Sequence, residues 1–569
     1  MIVDARKVPP RTTIRTDVCI VGAGAAGITA ALEFAPSSHD VFVLEAGAPG
    51  KKSAEDSLRG VIEATNGPDG NSIHPPLETL RQRRLGGTTG SWGGRCVPLD
   101  GIDFERRGGR AESGWPISRD DLLPYYRRAQ RYCEAGEFDY SASTSLPAAA
   151  PFLLGGGKQA RFTDDKLVRY STPTDFGTRY KVELASSRNI RLLHHANALR
   201  LEPNPAGTSI EAAVVASEPG REFRVRARAF ILAGGGLETT RLLLVSSQQV
   251  GRPIGSGYAL VGQRYMTHLD GFVGDLSFRG PAPRAAFSYE WTNDGVYCRR
   301  MLCLTDETIR AKELPNFASA LYMPSPHDPS HGDALLSAYA LIKEGLYRTK
   351  AGFKSRRHGL SRSGGFAIRP HLRNIARDPT SIAGFAINWS RDRWLASRRV
   401  PSFLTESRSG LYRFLFSAEQ SPSAANRVAL SDEVDNFGVP RLAVRWTVAR
   451  SDLESIVRTL SIIGSEIERL GIGSVSLPLS PDDLSSAMGG GFLGGTHAMG
   501  TIRMSDSPRT GVVDPECRMH GITNVYVASS AVFPTGGFAA PTLTIVALAN
   551  RIAQLIVRQV RSHPSIGAG

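Results

Sequence analysis

Six consecutive residues near the start of the chain have the spacing of a dinucleotide-binding turn. Gly22-Ala23-Gly24-Ala25-Ala26-Gly27 fits the pattern G-x-G-x-x-G and directly follows an apolar run, DVCIV. In this pattern the first glycine permits a tight turn, the second lets the backbone approach a pyrophosphate, and the third lets a helix pack closely on the strand. The N–H groups at the start of that helix then face the phosphates.

An acidic residue follows at the distance where the ribose of such a nucleotide is bound. Glu45 lies eighteen residues after Gly27, at the end of a second apolar run, VFVLE. A carboxylate at the end of the second strand accepts hydrogen bonds from the adenosine ribose. The strand, the helix and this acid together predict dinucleotide binding. The glycine pattern alone does not separate FAD from NAD.

The elements that must hold these residues recur along the chain. Residues 16–45 have the order strand, glycine turn, helix, strand, and residues 228–246 repeat the strand–glycine–helix order. Alternating segments near 190–202, 222–233 and 423–447 predict an antiparallel sheet. Because the dinucleotide pattern occurs at both ends and in the middle of the chain, we expect a discontinuous cofactor domain. The segments of a substrate domain would lie between its parts in the sequence.

Four motifs, in order, resemble those of the glucose–methanol–choline (GMC) oxidoreductases. They are Glu45-Ala46-Gly47, RLGGTTGSWGG at 84–94, AGGGLETTRLLL at 233–244 and HAMGTIRM at 497–504. The chain is most similar to the bacterial branch that contains relatives of pyranose oxidase and of sugar and glycoside dehydrogenases. It shares GWPIS, the H-x-M-G-T-x-R-M string and PTLTI with that branch. The resemblance covers nearly the whole chain and implies FAD as the cofactor.

The resemblance also implies a division of the chain. The predicted fold class is α/β, or α+β overall, with a discontinuous Rossmann-like FAD-binding domain and a substrate domain built on an antiparallel sheet. We expect the FAD-binding domain to comprise residues 1–105, 190–262 and 489–569. Residues 106–189 would form a substrate or cap segment, and residues 263–488 the main substrate-binding domain.

Further cofactor contacts follow from the same resemblance. Gly86, Gly87 and Thr88 would wrap the flavin and the pyrophosphate. In some relatives a histidine immediately before the loop tryptophan holds FAD covalently, but here Ser91 precedes Trp92. Serine cannot make that bond, so we expect non-covalent FAD. The other positions implied to contact the cofactor are Ala46, Gly93, Ala196, Ala233, Gly234, Ser529, Ser530 and Thr542.

Oxidation of an alcohol also needs a base for the hydroxyl proton. Such a base must lie within hydrogen-bonding reach of the hydroxyl and have a pKa near the working pH, which suits histidine. His497 begins His-Ala-Met-Gly-Thr and matches the H-x-x-G-T string of the family, whose first residue is the active-site base. The resemblance therefore implies His497 as the catalytic base. The preceding run, GGGFLGGT, is expected to let the backbone pass close to a flat ring.

The second active-site position departs from the family pattern. Forty-three residues after His497 the family carries a His or Asn that hydrogen-bonds the substrate oxygen, whereas this chain has Ala540. The loss of one such group costs about 10²–10³ in rate. Three readings are open. In the first, another side chain of the substrate domain replaces the group; in the second, the pocket is emptied for a bulky substrate and His497 acts alone. In the third, the flavin serves another chemistry, such as elimination, decarboxylation or desaturation, or has a purely structural role.

The resemblance points to a small alcohol as the substrate. We expect a sugar, glycoside or natural product, oxidised at a secondary hydroxyl by proton abstraction through His497 and hydride transfer to flavin N5. Neither a CxxCH haem motif nor an iron–sulfur spacing is present, so the electron acceptor must be external: oxygen, a quinone or a protein carrier. The cysteine spacing predicts no metal site.

Bulk composition narrows the remaining possibilities. The chain has 569 residues, 41% of them hydrophobic, but no apolar run of 18 residues, so no membrane span is expected. Six scattered cysteines without a CxxC pair predict buried, reduced thiols. The N-terminal segment lacks the apolar core of a secretory signal. These features predict a cytoplasmic protein.

The formal net charge of +14 comes largely from one segment. Residues 343–399, a basic insertion in the predicted substrate domain, contain fourteen Lys and Arg against three acids. No DNA- or RNA-binding module is recognisable there, so we expect no nucleic-acid partner. The segment has three open interpretations: a solvated face, a lid for anionic substrates, or a patch for peripheral contact with an acidic surface.

Overall fold

A computed structural model of the chain describes residues 1–50, 58–62, 74–108, 112–147, 160–348, 366–487 and 497–561. The strands, in chain order, are β1 (Ile2–Asp4), β2 (Thr13–Val21), β3 (Val41–Glu45), β4 (Gly60–Ile62), β5 (Arg95–Cys96), β6 (Phe162–Tyr170), β7 (Ile190–His194), β8 (Asn197–Pro203), β9 (Ile210–Glu218), β10 (Arg221–Leu232), β11 (His268–Phe278), β12 (Glu290–Trp291), β13 (Tyr297–Leu304), β14 (Phe317–Tyr322), β15 (Leu411–Glu419), β16 (Arg427–Val434), β17 (Pro440–Arg445), β18 (Gly473–Ser476) and β19 (Val525–Val527).

The helices range from single turns to twenty residues. In chain order they are α1 (Ala25–Phe34), α2 (Leu77–Leu80), α3 (Gly101–Phe104), α4 (Arg119–Tyr132), α5 (Ala142–Ser145), α6 (Phe176–Arg179), α7 (Lys181–Ser186), α8 (Gly235–Val250), α9 (Arg284–Phe287), α10 (Asp306–Lys312), α11 (Ala334–Arg348), α12 (Ile368–Arg377), α13 (Pro379–Ser390), α14 (Arg450–Arg469), α15 (Pro481–Ala487) and α16 (Thr542–Arg561).

The first large sheet is mostly parallel and draws its strands from distant parts of the chain. Its order is β1-β7-β3-β2-β10-β9-β8, and β19 also pairs with β10. Six strands run in the same direction: β1, β7, β3, β2, β10 and β19. The strand β9 runs antiparallel to both β10 and β8. β3 is buried at every position, as expected for a parallel strand covered on both faces.

This sheet corrects one expectation from the alternating pattern. The segment 190–202 was expected to be antiparallel, but β7 is a parallel strand next to β3 and β1. The chain turns at His195, in the left-handed region (φ +57°), and only then enters the antiparallel strand β8. The segment 222–233 was expected to be antiparallel too, but its strand β10 pairs parallel with β2 and β19 and antiparallel only with β9. A short alternating pattern does not specify the direction of a strand, because that direction depends on the partner.

The second large sheet is antiparallel, as expected for the substrate domain, but it contains none of the three alternating segments from which an antiparallel sheet was predicted. Its order is β18-β11-β15-β14-β13-β6-β5, and β12 pairs with β13. A third sheet joins the antiparallel pair β16–β17 to β4, which runs parallel to β17. The largest buried apolar cluster extends through the first sheet, and a second one lies between the antiparallel sheet and α14.

Three local features complete the description of the fold. Ser118 and Asp121 form a capping box at the start of α4, each side chain accepting from the backbone N–H of the other residue. All six cysteines are buried and free of disulfides. None of the helices in the described ranges is long and apolar enough to cross a bilayer.

Candidate active site

The glycine turn after β2 forms one wall of a deep cavity. Gly22 has φ +102°, which L side chains rarely adopt, and a Cβ there would meet the Ala233 carbonyl oxygen at 2.6 Å. A Cβ on Gly27 would lie 1.8 Å from the Gly22 carbonyl oxygen, so this glycine brings α1 against the turn. A Cβ on Gly24 would have no neighbour within 4 Å. Gly24 therefore borders open space, as expected where a ligand approaches the backbone.

Two helices begin at this cavity without a side-chain cap. α1 has Gly24 as its N-cap and α8 has Gly234, and neither N-terminus donates a backbone N–H to a capping side chain. Both glycines line the cavity. The first N–H groups of a helix have no partner within the helix, and the positive end of the helix dipole attracts anions. The two helix starts therefore fit a pyrophosphate.

Glu45 lies buried at the end of β3 and lines the same cavity. Its two carboxylate oxygens accept hydrogen bonds from the backbone N–H groups of Ala23 (2.9 Å) and Gly47 (2.7 Å). Burial raises the pKa of Glu45 to about 7 in spite of these two bonds. Each carboxylate oxygen has a further lone pair, so Glu45 can still accept from a ribose hydroxyl.

The wall formed by residues 81–83 and 238–241 is polar. Arg83 and Arg81 both pair with Glu238, the former at 2.8 Å, and these side chains line the cavity. Oε1 of Gln82 and Oγ1 of Thr239, which also belong to lining residues, are buried without a hydrogen-bond partner among the described residues. Buried polar groups are normally bonded, so these two atoms fit a polar ligand.

The structure brings most of the predicted cofactor residues together. Those that line the cavity are Gly22, Gly24, Ala25, Ala26, Glu45, Ala46, Gly87, Thr88, Ala196, Ala233, Gly234, Ser529, Ser530 and Thr542. Six others do not line it: Ala23, Gly27, Gly86, Ser91, Trp92 and Gly93. Gly86 donates its N–H to the Ala23 carbonyl (2.8 Å) and so joins the loop to the turn. Ser91 is exposed.

His497 lines the cavity and is paired with a second histidine that the sequence did not single out. Its Nδ1 lies 2.9 Å from Nδ1 of His268, the first residue of β11, and the two rings are nearly perpendicular. His268 is buried, and its Nε2 lies 3.3 Å from the Gly536 carbonyl oxygen. The run GGGFLGGT before His497, to which we assigned a close backbone approach, lies outside the described residues.

The hydrogen bonds of this pair determine where its protons are. A carbonyl oxygen only accepts, so Nε2 of His268 carries its proton. Burial lowers the pKa of His268, which is therefore neutral at neutral pH, and its Nδ1 accepts from Nδ1–H of His497. Burial and the proximity of His268 and Arg95 lower the pKa of His497 well below its usual value. His497 is then neutral, with an unprotonated Nε2 that has no hydrogen-bond partner among the described residues.

Ala540 is buried and does not line the cavity in the described part of the chain. The polar group beside His497 comes instead from β11, which lies within the predicted substrate domain. No local signal could have identified His268: it is one of twelve histidines and belongs to no motif. Its position is set by the pairing of β11 with β15 in the antiparallel sheet.

One group of side chains has ligand atoms close enough to hold a metal ion. Asp4, His194 and His195 place one ligand atom each within 4.8 Å of the others. The Arg6 guanidinium bonds both oxygens of Asp4, however, and holds the pKa of that carboxyl far below its usual range. Asp4 is therefore already neutralised by an arginine.

A Rossmann-type sheet with an anion-binding cavity and a neutral histidine pair defines the class of dinucleotide-dependent oxidoreductases. Two family models match the chain: one described as FAD binding domain over residues 17–260 and one described as GMC oxidoreductase over residues 422–549. The chain is therefore an FAD-dependent oxidoreductase of the GMC family. This confirms the predicted family and cofactor.

Similar proteins support the same assignment over nearly the full length. The chain is 24% identical to 6'''-hydroxyparomomycin C oxidase of Streptomyces lividus, over 95% of this chain and 91% of the relative. It is 25% identical to paromamine 6'-oxidase of Streptomyces fradiae, over 96% and 92%. The fold matches the crystal structure of pyridoxine 4-oxidase from Mesorbium loti with a TM-score of 0.52 and 17% identity, over 96% of this chain and 100% of that one.

Proposed function

We propose that the protein oxidises a hydroxyl group of a sugar, glycoside or amino-sugar natural product, with His497 as the base. Bound FAD supplies the oxidising chemistry by accepting a hydride from the carbon that bears the hydroxyl. The residues proposed to hold it are the glycine turn at 22–27, Glu45 and the first residues of α1 and α8. We further propose that the cofactor is not covalently attached, because Ser91 stands at the attachment position.

The observation that carries this proposal is the proton arrangement of the histidine pair. Nε2 of His497 has a free lone pair next to the cavity because Nδ1–H is committed to His268. Its lowered pKa keeps the ring unprotonated at neutral pH, so it can accept the hydroxyl proton. His268 holds the ring in this tautomer and orientation by accepting its Nδ1–H, as the orienting group of a base does.

His268 also bears on the alternative chemistries. Elimination, decarboxylation or desaturation was motivated solely by the missing polar group at Ala540. His268 gives the base an orienting partner from the substrate domain, which favours alcohol oxidation over these chemistries, although both of its ring nitrogens are bonded and it does not also bind the substrate oxygen. The sugar-like substrate is supported by the two aminoglycoside oxidases to which the chain is similar over more than nine-tenths of its length.

The test is an anaerobic absorbance titration of the purified holoprotein with sugars, glycosides, amino sugars and simple alcohols that carry primary or secondary hydroxyls. A substrate should bleach the oxidised flavin band. His497→Ala should slow this reduction by about 10³-fold, within the range contributed by a general base. His520→Ala is the matched control, because that ring bonds the Ser505 carbonyl (2.9 Å) and does not line the cavity.

Two results would contradict the proposal. Equal rates of reduction for His497→Ala and the wild type would remove His497 from the proton transfer. A holoprotein that dithionite reduces but no alcohol in the panel does would favour a different flavin chemistry. Acid precipitation tests the attachment separately, because non-covalent FAD should be released into the supernatant.

A further inference from the structure

The helix α12 has reversed polarity with respect to the protein core. Its buried residues are His371 and Asn374, whose side chains each lie 3.1 Å from Oγ of Ser337. The aliphatic residues Ile368 and Leu372 are 42% and 51% exposed. A helix on a protein surface ordinarily buries its apolar stripe and exposes its polar one. The outward face of α12 therefore exposes aliphatic side chains beside the arginines of the same helix.

The next helix, α13, is uncharged and buries none of its residues. It has twelve residues without a single charged side chain, and Ile387 at its centre is 73% exposed. The chain that follows exposes Trp394 and Leu395 by 69% and 81%, and Ile342 of α11 adds 62%. Six of the twelve large apolar side chains that are exposed among the described residues lie between 342 and 395. Such a concentration marks an interaction site.

The same surface carries an excess of positive charge. Residues 366–399 contain seven arginines and two aspartates. Both aspartates are already paired, Asp378 with Arg408 and Asp392 with Arg391. Four arginines are exposed and form no ion pair with any described residue: Arg369, Arg373, Arg377 and Arg399. The apolar side chains are thus bordered by uncompensated positive charge.

We propose that the α12–α13 surface, defined as residues 366–399 together with Ile342, docks on an anionic lipid bilayer. The exposed aliphatic and tryptophan side chains enter the boundary between headgroups and acyl chains, and the arginines bind the lipid phosphates. A twelve-residue helix is about 18 Å long, too short to span the hydrocarbon core, so the contact is peripheral.

Other occupants fit the surface less well. A second copy of the chain would bring two arginine-rich surfaces together, and like charges repel. A nucleic acid would pair with the arginines but would not bury exposed isoleucine and leucine side chains. An anionic bilayer satisfies both properties, the apolar residues and the charge around them.

Co-sedimentation of the full-length holoprotein with vesicles tests the proposal. Vesicles of phosphatidylcholine mixed with phosphatidylglycerol should bind at least tenfold more protein than phosphatidylcholine alone, and added salt should reduce the difference. Ile387→Asp should lower the partition at least tenfold. Leu479→Asp, at a position that is 85% exposed and remote in sequence, is the control and should leave it unchanged.

The charge is tested independently of the apolar residues. Arg373→Gln should weaken partition about fivefold, the effect of removing one basic side chain at an anionic surface. Arg188→Gln removes another exposed arginine and should have no effect. Retention of the flavin spectrum identifies the variants that remain folded.

Three outcomes would overturn the proposal. The first is equal partition of the wild type onto neutral and anionic vesicles, or none onto either. The second is a wild-type dimer in solution that Ile387→Asp converts to a monomer. The third is binding to double-stranded DNA that weakens in Arg373→Gln but not in Ile387→Asp, without binding to vesicles.

Discussion

The glycine turn and the histidine pair belong to one active-site region but are specified in different ways. The turn is six consecutive residues, and its function depends on side chains that are missing: a Cβ on Gly27 would overlap the backbone. The pair depends on two side chains that are 229 residues apart in the chain and belong to different parts of the fold. Sequence motifs therefore identify every residue of the glycine turn but only one of the two histidines of the pair.

The sharpest test of the turn is Gly27→Ala. The added methyl would lie 1.8 Å from the Gly22 carbonyl oxygen, so α1 must move away from the turn. We expect a loss of at least ~3 kcal/mol of stability and purified protein without bound flavin. Thermal unfolding and the ratio of flavin to protein absorbance measure both effects. Gly101→Ala, where the methyl would meet no atom within 4 Å, should behave as the wild type. A stable, flavin-loaded Gly27→Ala protein would contradict the packing argument.

The histidine pair is tested by three substitutions of His268. Alanine removes both hydrogen bonds and should reduce the rate of flavin reduction about 10²-fold, because His497 loses its orienting partner. Asparagine places an acceptor near the position of Nδ1 and should retain the rate within about tenfold. Glutamine reaches toward the Gly536 carbonyl instead and should resemble alanine. Equal rates for all three variants would show that the bond to His497 does not matter.

The pH dependence distinguishes an orienting role from a merely structural one. Burial, His268 and Arg95 all lower the pKa of His497, so the wild-type rate should fall only at a pH well below the usual histidine pKa of about 6.5. In His268→Ala one of these three causes is removed and water enters, so the acidic limb of the profile should move to higher pH. An unchanged profile would assign His268 to packing alone.

The smallest effect is expected at Gly24, within the same turn as Gly27. A methyl at Gly24 meets no protein atom within 4 Å, and its φ of −78° suits alanine. Gly24→Ala should keep the apoprotein as stable as the wild type or slightly more so, because alanine restricts the unfolded chain. The affinity for FAD should fall about tenfold, as measured by flavin fluorescence quenching. Unchanged affinity would show that the cofactor does not approach this residue.

The sequence could predict features built from residues that are close together in the chain, but not those that join distant segments. Contiguous patterns sufficed for the glycine turn and for Glu45, because their geometry involves near neighbours. The parallel direction of β7 and the partner of His497 could not be predicted, since both depend on sheet pairing across hundreds of residues. The position of Ala540 indicated that a group was missing, whereas the orienting partner of His497 is identified only by the pairing of β11 with β15.

The basic segment illustrates a further limit. Its charge is evident from composition, and peripheral contact with an acidic surface was one of three interpretations. Which face of α12 is exposed could not be predicted, because an amphipathic pattern is the same whether the polar or the apolar stripe faces inward. The burial of His371 and Asn374 decides this point.

The discontinuous parallel sheet has a consequence for how the protein is made. β10 pairs with β2 on one side and with β19 on the other, and α16 packs against α1. During synthesis the glycine turn emerges early, but β19 and α16 emerge some five hundred residues later. The sheet of the nascent chain therefore stays incomplete and exposed until these elements are made. Tight cofactor binding follows only when synthesis of the polypeptide is complete.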